Sequence, residues 1–156
     1  MDLLRIPSIS TDPAYKPDCA RAADWLVADL LTLGFDASSR PTPGHPMVVA
    51  HGGTGDKHLL FYGHYDVQPA DPLELWDTPP FEPTVRDGKI YARGAADDKG
   101  QFYMHVKAFE YMVKNNELAC NIKFMIEGEE EVGSANLGIF VRENKERLKA
   151  DVIVIS

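Results

Sequence analysis

Apolar residues recur at helical spacing over residues 18–33, where Ala22, Trp25, Leu26, Ala28, Leu30 and Leu33 precede Gly34. This predicts a first helix that stops at the glycine. Two short β-rich runs follow, at 46–50 and 58–62, joined by the turn-forming HGGTGD stretch, and they read as neighbouring strands. Residues 69–83 are a loop rich in Pro and Asp whose aromatics, Trp76 and Phe81, must pack on something. Asp87-Gly88 between the runs 84–86 and 89–92 is a hairpin signal. Phe102, Val106, Phe109 and Val113 share one face of a helix predicted over 101–114, and 122–126 follows as an apolar strand. Ser134 is the expected N-cap of a helix running to about Leu148, with Leu137, Phe140 and Val141 as its apolar positions. A last strand spans 152–155.

The second half therefore alternates strand and helix, and its strands are continuously apolar rather than alternating. That implies parallel pairing buried on both faces, joined by right-handed crossovers. The expected fold is a three-layer α/β/α sandwich with a mixed, largely parallel sheet. With 156 residues and 44% hydrophobic content, residues 1–156 read as one domain with a real core. The 24 acidic against 16 basic residues, a net charge of -8, argue against nucleic acid or an anionic membrane as partner and suit a protein that holds cations. Cys19 and Cys120 lie far apart and outside any CxxC pairing, which reads as free thiols in a reducing cytoplasm. No stretch approaches the roughly 20 apolar residues of a membrane span, and the early charges of MDLLRIPSIS do not make a signal peptide. The expected location is the cytoplasm.

In open α/β sheets ligands collect beyond the carboxyl ends of the strands. Three clusters of acidic residues and histidine obey that rule: GHYDVQP from Gly63, RGAADDKG from Arg93 and EGEEEVGS from Glu127. His64 and Asp66 are two apart in an extended segment, so they project to one side, and the carboxylate can hold the imidazole with its other nitrogen left for a metal. Asp98 with Gln101 matches a capping box, which leaves Asp97 free to reach a cation. Glu129, Glu130 and Glu131 set three like charges at the rim of the sheet, a repulsion that a metal would relieve. Each cluster alone also reads as ordinary loop acidity; their coincidence at one edge raises the metal reading. His45, His51, His58 and His105 read as surface or partly buried hydrogen-bonding residues. No GxGxxG or GxxxxGK loop follows any strand, which sets aside a nucleotide-binding fold.

Together GHYDVQP, WDTPPFEP, DGKIYARGAADDKG and EGEEEVGS resemble the zinc metallopeptidase family of carnosine dipeptidase, cytosolic dipeptidases, acetylornithine deacetylase, succinyl-diaminopimelate desuccinylase and glutamate carboxypeptidase. The resemblance runs from LLRIPSIS onward, and the Gln68-Pro69 and GEEEVGS wording is most similar to the dipeptidase branch. It implies that His64 binds one metal, Asp97 bridges two, Glu131 binds the other, Glu130 is the general base and Asp66 orients His64. It also implies a cis peptide at Asp97-Asp98. The implied cofactor is two Zn2+ per complete site, with Mn2+ or Co2+ as alternatives, and the implied reaction is hydrolysis of an amide in a dipeptide or small peptide. An N-acyl amino acid deacylase is the alternative, since the motifs do not select between peptide and acyl-amide substrates.

The family's members are much longer, with a further acidic ligand directly after a strand like DVIVIS, a late histidine and an inserted lid domain. The chain is thus expected to be a truncated catalytic domain, with two protein ligands per metal where catalytic zinc normally has three. Weak metal binding, little or no turnover and self-association into a homo-oligomer through uncovered apolar surface are the corresponding expectations. A non-catalytic fragment that binds a divalent ion weakly is the reading from another class.

Overall fold

The structure, a computed structural model, describes all 156 residues. A one-turn helix at Asp2–Arg5 buries Leu3 and Leu4 before the first long helix, α1 (Lys16–Thr32). Proline in its first turn lets α1 begin ahead of the predicted start, since that position needs no N–H. Ala22, Leu26 and Leu30 of the predicted stripe are fully buried, joined by Cys19 and Ala23. Strands β1 (Asp36–Arg40), β2 (Met47–Gly53) and β3 (His58–His64) follow. The hairpin β4 (Thr84–Arg86) and β5 (Lys89–Tyr91) turns at Asp87 and Gly88, both at positive φ, as its sequence predicts. Next come α2 (Lys99–Lys114), β6 (Asn121–Glu127), α3 (Leu137–Glu143), α4 (Lys145–Leu148) and β7 (Val152–Ile155).

The main sheet has the order β1-β2-β6-β3-β7. β3 pairs parallel with both β6 and β7, while β2 pairs antiparallel with β6 and with β1. Alternating side chains of β2 divide the core. Val48 and Ala50 join Ile122, Phe124 and Ile126 against α1 and α2, through Leu26, Leu30, Phe102 and Val106. Met47 and Val49 join Leu60 and Met125 on the other face, against Phe140 of α3 and Leu148 of α4. Helices therefore cover both faces, and the three-layer α/β/α sandwich with its mixed sheet is present.

Local expectations are corrected at four places, the β2–β3 adjacency, the Ser134 cap, the single helix to Leu148 and the reach of the α2 stripe, and one strand, β1, is additional to the predicted ones. β2 and β3 are not neighbours, because β6 returns through the α2 crossover and inserts between them, where its nearly continuous burial is satisfied on both faces. β1 carries no apolar run, with only Ala37 buried, and exists because its backbone pairs with the edge of β2. Ser134 does not cap a helix: it lies at φ +53, outside the extended conformation an N-cap needs, and its hydroxyl donates to Glu127 at 3.0 Å. The predicted helix instead begins after Asn136 and breaks at Asn144 into α3 and α4. Val113 is exposed, so the buried stripe of α2 ends at Phe109. The aromatic loop does pack, with the Trp76 indole donating to the Ala70 carbonyl at 2.8 Å and the Arg93 guanidinium 5.4 Å from its ring centre.

Candidate metal centre

His64 is the last residue of β3 and lies in register with Glu127, the last residue of β6. The two parallel strands thus deliver the first and third clusters to one edge. The second arrives at the start of α2, which packs on β3. Gly63 makes that approach possible: a Cβ there would stand 2.6 Å from the Phe102 Cβ and 2.7 Å from an Asp98 carboxylate oxygen. Asp98 accepts from the His64 backbone N–H at 2.9 Å and makes no cap bond to its own helix. The expected capping box is therefore not formed, because the carboxylate turns inward to brace the strand end. The Asp97-Asp98 peptide is cis.

His64, Asp97 and Glu131 offer ligand atoms that all lie within 4.8 Å of one another. The imidazole is buried, with Nε2 3.0 Å from an Asp97 oxygen and Nδ1 3.1 Å from the Asp66 carbonyl and 3.3 Å from its carboxylate. Burial opposes charge on the ring, but the carboxylates of Asp66, Asp98 and Glu130 outweigh it and raise its pKa to about 9. Burial raises Glu131 above the ordinary carboxylate range, against the hydrogen bond it receives from Gln68 at 2.7 Å. An imidazole nitrogen with two carboxylates is a donor set suited to zinc, manganese or cobalt. Three further acidic side chains surround the same histidine, Asp66 and Glu130 beside its ring and Asp98 on its backbone N–H. The residues fit a divalent cation.

The three consecutive glutamates have separate surroundings. Glu129 is buried and both its oxygens accept from the Asn136 amide, at 3.1 and 2.8 Å. Glu130 approaches the ring, 3.8 Å from Nε2. Glu131 faces Asp97 and His64. Beneath them Glu127 is buried, accepts from Tyr62 and Ser134, and is raised by that burial. Asp66, with no exposed surface, accepts from the Glu130 N–H at 3.3 Å, the Glu131 N–H at 3.0 Å and the Ser10 hydroxyl at 2.6 Å. Sequence reasoning assigned nothing to Ser10 or Asn136. Their partners lie in other segments or across a turn, and a lone polar residue carries no periodic signal. His45, His51, His58 and His105 stay outside the cluster. Both cysteines are free.

Residues 60–156 match the Peptidase family M20/M25/M40. The chain belongs to this family. Among relatives, it is 37% identical over 147 residues to a cysteinylglycine-S-conjugate dipeptidase of Corynebacterium striatum, covering 92% of this chain and 32% of that one. It is 36% identical over 165 residues to a succinyl-diaminopimelate desuccinylase of Ralstonia pickettii, covering 97% and 41%. The crystal structure of human carnosine dipeptidase 1 superposes with a TM-score of 0.91 at 35% identity, covering 99% of this chain and 36% of that one. The chain thus spans between about a third and two fifths of the length of these relatives. No helix is long and apolar enough to cross a membrane.

Proposed function

We propose that residues 1–156 are part of the catalytic domain of a metal-dependent dipeptidase, and that His64, Asp97 and Glu131 would hold its divalent metal, two ions in the complete site. The observation that carries the reading is the convergence of these three side chains, from three separate segments, within 4.8 Å in a member of a peptidase family. Zinc is the proposed metal, with manganese or cobalt as alternatives for the same donor set. Divalent ions bound there would polarise an amide carbonyl and make water more acidic.

The chain's own side chains divide the remaining work. Glu130 is the general base: it lies beside the ligand cluster, outside the three residues assigned as ligands, and its side chain is half-exposed and so reachable by water. It accepts a proton from the attacking water and returns it to the leaving amine. Asp66 orients His64 through Nδ1 and leaves Nε2 toward the cluster. The dipeptide reading is supported by the names of the dipeptidase relatives, and the cytoplasm is the location proposed for it. The desuccinylase relative favours a second substrate class, N-acyl amino acids, for the same chemistry.

Zinc calorimetry on wild type and Asp97→Ala, with hydrolysis of cysteinylglycine and of an N-succinyl amino acid followed in the same samples, tests the proposal. Binding that is lost in the variant, together with turnover, supports it, and the faster substrate decides the class. Asp97-dependent binding without turnover assigns this chain a metal-binding role alone. Absence of Asp97-dependent binding overturns the site.

A further inference from the structure

The N-terminal segment Leu3 to Ser10 reaches the ligand cluster by a chain of hydrogen bonds that the motifs do not contain. Ser8 accepts from the Val67 N–H at 3.0 Å and donates its hydroxyl to the Tyr65 carbonyl at 2.6 Å, while Ile9 bridges Val67 in parallel. The buried Lys99 ammonium, on the first residue of α2, donates to the Leu3 and Ile6 carbonyls at 3.1 and 2.6 Å. These contacts tie the segment on both sides of the loop after β3. Its last residue, Ser10, then aims its hydroxyl at Asp66.

We infer that Ser10 is a positioning residue for the metal centre, acting through Asp66 on both His64 and the glutamate loop; this rests on the metal reading above. Asp66 is fully buried, so its lone pairs need protein donors. One oxygen takes the Glu130 N–H and faces His64 Nδ1; the other takes the Glu131 N–H and the Ser10 hydroxyl. The same carboxylate therefore sets the tilt of the imidazole and the height of the loop bearing Glu130 and Glu131. At 2.6 Å, Ser10 makes the shortest of these contacts, and it is the one donor supplied from outside the three motifs. Without it the carboxylate is free to rotate toward the two amides and away from the ring. Outer partners of metal-binding histidines typically contribute about 10–100-fold in metal affinity.

The test is a cobalt titration of the 156-residue chain, followed by visible absorption, for wild type, Ser10→Ala, Ser10→Cys and Ser10→Thr. Thermal unfolding and the amide resonances of Glu130 and Glu131 are recorded on the same samples. The expected result is affinity about tenfold weaker in Ser10→Ala, with an altered cobalt spectrum and shifted Glu130 and Glu131 amides, and recovery in Ser10→Thr. Ser10→Cys, a weaker donor of similar size, is expected to fall between, and it carries the test if Ser10→Ala does not fold. Unchanged affinity and spectrum in the folded variants, or a loss that Ser10→Thr does not restore, overturns the role of Ser10 and leaves the metal site standing. Failure of wild type to bind cobalt overturns the metal reading and this inference with it.

Discussion

His64 concentrates the electrostatics of the site. Burial disfavours its charge, yet the surrounding carboxylates win, and with a pKa near 9 the ring of the metal-free protein carries a proton at neutral pH. On the proposed ligand set, proton and metal compete for the same imidazole, so metal binding at pH 7 would release that proton. Apparent zinc affinity is expected to rise with pH, by at most about tenfold per unit, and to level off near pH 9, as calorimetry in buffers of different ionisation enthalpy would show. A flat profile between pH 7 and 9 would contradict this. Glu130 has the complementary expectation: where wild type shows turnover, Glu130→Gln lowers it by about 10²–10⁴-fold while zinc affinity stays within about twofold of wild type. Joint loss of metal and activity would make it a ligand instead.

Loops and helix starts at the sheet edge owe their shape to buried polar contacts. Asn136 at the start of α3 holds both oxygens of buried Glu129, so the loop after β6 is pinned on one side while Asp66 takes the next two amides. Asn136→Ala leaves a buried carboxylate without its donors and is expected to cost about 1–3 kcal/mol in urea unfolding. Gly63→Ala would force its methyl into Phe102 and the Asp98 carboxylate, separating α2 from the end of β3. Overpacking of that kind costs typically about 1–3 kcal/mol, and here it should also weaken zinc binding, since Asp97 moves with Asp98.

The sheet has two unlike edges. β1 ends in Asp36 and Arg40, charged residues that discourage pairing, whereas β7 exposes Val152, Ile153 and Ile155 along a strand bonded only to β3. A groove of about 860 Å³ lined by Leu60, Tyr62, Met125, Leu137 and Ile153 adjoins that strand. A second copy of the chain, pairing with the free backbone of β7, is the proposed occupant. Sedimentation velocity is expected to show concentration-dependent dimers that Ile153→Lys abolishes; a monomer at all concentrations would refute it. Saturating zinc should stabilise the folded chain, by about 2.7 kcal/mol at a hundredfold excess over Kd, as a rise in thermal midpoint.

Periodic information was largely legible in the chain, failing at Ala28, at Val113 and at the break between α3 and α4. The stripe of α1, the hairpin at Asp87-Gly88 and the apolar β6 follow from local spacing and turn chemistry, because burial of one face imposes a period on the residues that make it. Three acidic clusters beyond the sheet edge were legible too, but the choice of His64, Asp97 and Glu131 within them rested on the family resemblance. Contacts without a period were not legible. The insertion of β6 between β2 and β3, the pairing of polar β1, the inward turn of Asp98, the left-handed Ser134 and the reach of Ser10 to Asp66 each depend on a partner distant in sequence or on a backbone turn. A strand order or a single buried hydrogen bond lowers the energy of the assembled fold without leaving a repeating mark on either segment, so those features exist only once the segments meet.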